Sequence, residues 1–318
     1  MNTFLARCTA LALGSSIAVV GGLLAATCLR IEPLSGPVCG AWRTVLPDVE
    51  MRLATQGELR DSAARAEVVV RGDLGWPGAY RTVGIWPTEL VLAPRAGFTL
   101  FHHSRCGNCD GFAAFGRVTA ASEPVLQLDI ELSHACTTTS EHLADRLYTV
   151  RWGELLFVVT PQRAERFCAA VTDGRSFPGD PVRVLGDTAF DFDAPTRPEG
   201  RPLAPSEWQR WLPAAPIEAR IVRLVELRPL EPDPNSSVTY YDAEFELDRG
   251  AADGVAVGLS MFAAPPPGRD ERRGRIESVD EHSARLVLLT KDDQRAWAES
   301  LVGTAVSTLH PLAPRPSR

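Results

Sequence analysis

The chain has 318 residues, a formal net charge of −7, 45% hydrophobic residues and seven cysteines. An acidic balance excludes a protein whose affinity comes from neutralising phosphates, which needs a basic face, so nucleic acid is not an expected partner. Once a leader is set aside, the length leaves room for two modest domains.

At the N-terminus, Arg7 precedes an uncharged apolar run from Thr9 to Leu29. Its roughly 20 residues match the thickness of a hydrocarbon core. Residues 1–30 therefore read as a signal peptide or a membrane anchor, which makes the protein exported: periplasmic, anchored to the membrane, or secreted. Ala25, Ala26 and Thr27 before Cys28 loosely follow a lipoprotein processing site, so cleavage, lipidation and retention all stay open. Residues 31–69, broken by Pro and Gly and lacking a sustained heptad, read as an irregular segment.

From about Val68 onward the pattern is mainly β, and residues 70–175 are expected to form one domain. ELVLAPRAGFTLF (Glu89 to Phe101) reads as two strands around Pro94 and Gly97, followed by GRVTA and VLQLDIEL. In LYTVRWGELLFVV, Gly153-Glu154 separates two β-rich runs and predicts a hairpin. TPQRAERFCAAVTDG then predicts one helix, with Thr160 as its cap, Pro161 at the first position and Gly174 past the end. Ala164, Phe167, Cys168 and Val171 form its apolar stripe, which turns Cys168 inward.

Prolines and glycines accumulate over residues 176–216, a semi-extended connector with a short helical piece near Trp208 and Trp211 and with Phe190 and Phe192 poised to pack on a neighbour. Residues 217–310 read as a small β-barrel and 311–318 as a tail. In TYYDAEFELD, Tyr241, Ala243, Phe245 and Leu247 alternate with Asp242, Glu244, Glu246 and Asp248. Carboxylates about 7 Å apart along a strand do not converge on one cation, so the acidic row reads as a solvated face. Beyond it, Gly250, Asp253-Gly254 and Gly258 are expected at positive-φ turn positions.

RGAADGVAVGLSMF and GRIESVDEHSARLVLL, within residues 244 to 289, resemble the periplasmic β-domain of the rod-shape-determining protein MreC, where a D-G-V-x-x-G turn precedes a G-x-[IV] strand and an apolar strand. The resemblance implies a small β-barrel used for protein contacts and carries over no catalytic residues. The long coiled coil that follows the anchor in MreC-like proteins has no counterpart in the pattern after Leu29. The region from about Gly75 to Gly174 resembles a module of uncharacterised exported bacterial proteins, with a W-P-G start, a cysteine-bearing loop after F-T-L-F and a V-R-W-G hairpin before the F-C helix.

Outside the leader stand Cys39, Cys106, Cys109, Cys136 and Cys168. In an oxidising compartment disulfides are the default, within CGNC or from it to Cys136 or Cys168. Two alternatives stay open for HHSRCGNC. A redox-active CxxC would ordinarily open a helix within a βαβ unit, a context the pattern does not offer. A tetrahedral zinc set of Cys106, Cys109, His134 and Cys136 is chemically coherent, with at most one of His102 and His103 able to join it.

No nucleophile elbow, metalloprotease helix, phosphate loop or dinucleotide fingerprint occurs. The reading is two small β domains in an exported, envelope-associated bacterial protein, without catalytic or cofactor-binding residues, that contacts an envelope protein and reaches the membrane through its N-terminal segment. Exposed strand edges and the loop from Gly250 to Gly258 are the expected contact surfaces. The alternative is an exported thiol-redox or zinc-binding protein acting through the CxxC.

Overall fold

The computed structural model describes residues 47–71, 75–82, 88–103, 111–133, 143–174, 182–183, 196–231, 239–263, 272–291 and 295–309. The expected leader, Cys39, Phe190 and Phe192 lie outside these described residues. Among the described residues, no helix is long and apolar enough to cross a membrane.

The chain is mainly β, as its alternation predicts, and it forms two closed antiparallel barrels. The first has eight strands in chain order: β1 (Gly78–Arg81), β2 (Thr88–Ala93), β3 (Gly97–His102), β4 (Gly111–Ser122), β5 (Val125–Ser133), β6 (Arg146–Trp152), β7 (Leu155–Val159) and β8 (Val182–Arg183). Pairing of Arg81 with Val182 closes the ring. The second has six: β9 (Glu218–Pro229), β10 (Tyr240–Leu247), β11 (Ser260–Ala263), β12 (Arg272–Val279), β13 (Ala284–Lys291) and β14 (Ala305–Ser307). They run around the barrel as β10-β13-β12-β11-β14-β9, and β9 pairs back onto β10. Ring closure pairs every stave on both sides over part of its length, which leaves β5 beyond Leu128 and β9 beyond Ile221 paired on one side only among the described residues.

Two strands of the first barrel are buried along their whole length, β7 as an unbroken apolar run and β2 as LVLA after the buried Thr88 and Glu89. In β2, Leu90 and Leu92 face the barrel interior while Val91 and Ala93 pack under a helix. In β7, Leu156 and Val158 face inward while Leu155, Phe157 and Val159 meet a second helix. Each outer face therefore requires a cover.

The first cover is helix α1 (Pro47–Arg71), which lies over β2, β3 and β4. It replaces the expected irregular segment over residues 47–69; residues 31–46 lie outside the described residues. Leu53 and Ala64 face the barrel, whereas Met51, Leu59, Val69 and Val70 are exposed, so apolar residues occupy both sides and no single stripe marks the helix. Polar anchors fix it. Arg60 donates to Glu131 at 2.8 Å, Thr99 donates to Asp61 at 2.8 Å, and Glu67 accepts from the backbone N–H groups of Arg95 and Ala96. Arg65 reaches Glu89 at 3.1 Å, and Arg81 reaches it from β1 at 3.3 Å. Gly57 sits where a Cβ would stand 2.4 Å from Phe112 Cγ, so the missing side chain sets how closely α1 approaches β4.

The second cover is α2 (Ala164–Thr172), preceded by a 3₁₀ turn at Pro161–Arg163. Its stripe of Ala164, Phe167, Cys168 and Val171 is buried as expected. Gly174 has a φ of 76°. Thr160 stands at the cap position without a side-chain capping bond, since Pro161 and the 3₁₀ turn already set the entry of the chain. The expected connector is also corrected. Val182 and Arg183 are a stave of the first barrel, the Trp152 indole donates to the Gly200 carbonyl at 3.0 Å, and Trp208, Trp211 and Leu212 are buried in the same core as α2.

In the second barrel, Ala243, Phe245 and Leu247 point inward as the alternation requires. The acidic row is not simply solvated. Glu244 lies 3.7 Å from Arg228 and 3.8 Å from Arg285, and Glu246 lies 2.6 Å from Arg223 and 3.0 Å from Arg285, forming a cross-strand ladder with β9 and β13. Gly254 and Gly258 have φ of 84° and 86°. Gly250 does not: it is extended, and glycine is needed because a Cβ would meet the Asp280 carbonyl oxygen at 2.4 Å.

Two predictions follow from the α1 seat. Replacing a mid-helix glycine by alanine ordinarily stabilises by about 1 kcal/mol. Gly57→Ala is expected to have the opposite sign, a loss of about 1–3 kcal/mol in denaturant unfolding, because Phe112 must move. For Glu89, burial alone would raise its carboxyl pKa, but Arg65 and Arg81 outweigh burial and hold it below the ordinary 4.5. A depressed folded pKa contributes stability above pH 4.5 that is lost as pH falls through the folded value. Glu89→Gln should lower stability at neutral pH by about 1.5 kcal/mol and flatten the acid limb of a stability-against-pH curve.

Candidate interbarrel binding cleft

Trp211 ties the barrels together. Its ring is buried beside α2, the Thr172 hydroxyl donates to its carbonyl at 3.1 Å, and its indole N–H donates to the Val257 carbonyl of the second barrel at 2.7 Å. A Cβ on Gly258 would stand 2.7 Å from that indole nitrogen, so the turn can approach only as glycine. Nearby, Arg275 on β12 donates twice to one carboxylate oxygen of Glu165 on α2, at 2.9 and 2.6 Å. Part of the Gly250–Gly258 loop, expected as a free contact surface, is thus occupied by the first barrel.

Beside these contacts lies an open cleft of ≈ 380 Å³. Its floor is the outer face of the second barrel, and its wall is the first turn of α2, carrying Glu165 and Arg166. The register orders the floor. Leu289 on β13 pairs with Asp242 on β10 and, one step past the Gly274–Leu288 pair, lies beside Arg273 on β12. In the next row Val287 sits between Glu244 and Arg275. Leu289 is 50% exposed although it belongs to an ordered sheet.

The charges of this surface fall into two groups. Glu244, Glu246, Arg223, Arg228, Arg285, Glu165 and Arg275 are paired within the chain. Asp242, Glu277, Arg166 and Arg273 line the cleft, and no described residue forms an ion pair with any of them. Arg273 donates to the Ser260 hydroxyl at 3.2 Å and lies over the Phe262 ring at 5.9 Å. Burial lowers its pKa; Asp173 works against that, and Arg166 adds to it. At the other end of α2, Arg197 donates to the carbonyls of Ala170 and Val171 and stacks 4.7 Å from the Trp152 ring, a cation at a helix C-terminus. That arrangement fixes α2 and hence the wall.

Of the residues singled out from the sequence, Cys106, Cys109, His134 and Cys136 lie outside the described residues. Cys168 is fully buried among Phe167, Val171 and Trp208. His102 shares a 2.9 Å hydrogen bond with Thr88, and the His103 ring lies 4.7 Å from that of Phe101. Among the described residues no group of three or more His, Cys, Asp or Glu is placed to hold a metal ion. Sequence reasoning missed the cleft. Its one legible signal was in ARLVLL, where the outward positions Val287 and Leu289 are apolar in a strand with one face in the core.

Comparison with protein-family models, curated proteins and solved structures finds no match to the chain.

Trp211→Phe keeps the buried ring and removes the N–H. It should lower stability by about 1 kcal/mol. Hydrogen exchange is expected to quicken in residues 255–259 while β10 and β13 keep their protection.

Proposed function

We propose that the protein is an exported, envelope-associated bacterial protein with a non-enzymatic binding role, and that the interbarrel cleft is where it contacts its envelope partner. The carrying observation is Leu289: a large apolar side chain half exposed on a sheet, set between unpaired charges and walled by a second domain. An apolar floor with a few convergent polar groups is the usual form of a recognition site. Export rests on the Thr9–Leu29 run. The stretch that resembles the MreC β-domain includes β12 and β13 up to Leu289, and its implied role in protein contact agrees with a binding surface there.

The alternative, a thiol-redox or zinc-binding protein, draws on the barrel register. His102 pairs with Gly111 and Ala114 with Ser133, so the described residues that flank 104–110, and Ser133 before 134–142, stand at the same end of the barrel; Cys106, Cys109, His134 and Cys136 belong to these two stretches of sequence.

A photo-crosslinking residue at position 277, on the cleft rim, tests the first reading in intact cells carrying the full chain. An adduct with an envelope polypeptide is expected, and Leu289→Asp should weaken its formation by about tenfold, about 1.4 kcal/mol of binding free energy. Absence of any envelope adduct would sink the proposal. Intact mass of the mature protein separates the alternative: zinc retained with free thiols at 106 and 109 would favour it.

A further inference from the structure

The occupant's chemistry can be read from the charges that the fold leaves without an ion pair. On the outer face of the second barrel, carboxylates and guanidiniums are placed one strand apart and neutralise each other, as in the Glu244–Arg285–Glu246 ladder. The row through Leu289 breaks this pattern. Asp242 and Arg273 stand on opposite sides of Leu289, two strand spacings or about 9–10 Å apart, too far to pair with one another. Arg166 comes from the facing wall and adds its charge on the Arg273 side; it repels Arg273 less than the buried Asp173 attracts it. The row through Leu289 is thus bipolar, with Asp242 at one end, two guanidiniums at the other and an exposed leucine between, while the other unpaired carboxylate of the lining, Glu277, stands farther along β12, beyond Arg275.

We infer that the cleft takes an extended peptide segment in which a basic residue and an acidic residue bracket an apolar side chain. The segment's acidic group lies between Arg166 and Arg273, its basic group meets Asp242, and its apolar side chain covers Leu289. Guanidiniums suit this role because their planar fork accepts a carboxylate with two hydrogen bonds. A simple anion would leave Asp242 unmatched, and a bare apolar ligand would bury three charges without partners, which is costly. Side chains of a strand recur on one face every second residue, so a five-residue segment presents its first, third and fifth side chains to the row.

This inference rests on the cleft's being the binding site, and the test separates the two claims. The full-length protein in detergent is titrated with a fluorescent Lys-Ala-Leu-Ala-Glu peptide and with analogues in which Gln replaces Glu or replaces Lys. The parent peptide should bind, and each analogue about tenfold more weakly. Arg273→Gln should weaken the parent by a similar factor yet leave the analogue lacking Glu unchanged, whereas Asp242→Asn should show the same selectivity at the Lys end. Arg273→Gln also gives up its bond to Ser260 and its place over the Phe262 ring, so each variant's unfolding midpoint is measured beside the parent's and binding is compared at a temperature where all are folded. Equal losses for charged and neutral peptides would overturn the inference, as would no binding of the parent. If peptides fail while position 277 still captures an envelope polypeptide, the peptide chemistry is wrong and the site stands; if neither occurs, both fall.

Discussion

One tryptophan holds the arrangement of the two barrels. Trp211 belongs to the first barrel by its ring and to the second by its hydrogen bond to the Val257 carbonyl. Because the ring is buried with Trp208, Phe167 and Val171, the indole N–H cannot wander, and the turn that receives it is held at a fixed distance by Gly258. Surface ion pairs such as Glu165–Arg275 contribute little on their own when half exposed. Here that pair adds direction to a contact already positioned by burial. Without the tryptophan, the cleft would have a floor and no dependable wall.

The helices follow from barrel closure. Closing the antiparallel ring leaves two of its staves, β2 and β7, buried on both faces. α1 and α2 cover those outer faces, and each is seated by polar contacts that a purely apolar interface would lack. Around α1 these are Arg60 with Glu131, Asp61 with Thr99, and Arg65 with Glu89. Around α2 they are Arg197 at the last carbonyls and Thr172 to Trp211. Apolar area supplies most of the stabilisation, and the polar contacts select one seating among several that would bury similar area.

Much of this fold was legible because it is local. The β2–β3 and β6–β7 hairpins follow from turn residues at Pro94, Gly97 and Gly153, the α2 stripe from spacing, and β10 from strict alternation. What escaped depends on distant partners. α1 carries apolar residues on two faces, so its periodicity is blurred, and only the barrel shows which face is the inner one. The proline-rich stretch after residue 195 looked like a linker because its backbone bonds and tryptophans are satisfied by another part of the chain. The acidic row of β10 was visible, but the arginines that neutralise Glu244 and Glu246 come from β9 and β13. Asp242 stands out only once those pairings are known. The cysteine pairs, the most conspicuous chemistry in the sequence, lie outside the described residues, so their reading stays where residue spacing leaves it.

Closure of the first barrel has a kinetic side. The stave that completes it, Val182–Arg183, is two residues long and is synthesised only after the other seven strands and both covering helices, while its partner β1 is the first of the strands. Joining them closes a long loop whose entropy must be met before the ring gains its last hydrogen bonds. Arg183 helps by donating to the Gly75 carbonyl at 2.8 Å, a clasp across the seam. A hoop fastened by so short a buckle has one place where tension concentrates. That seam, with a single residue pair between β1 and the closing stave, has the least pairing to lose when the ring is strained.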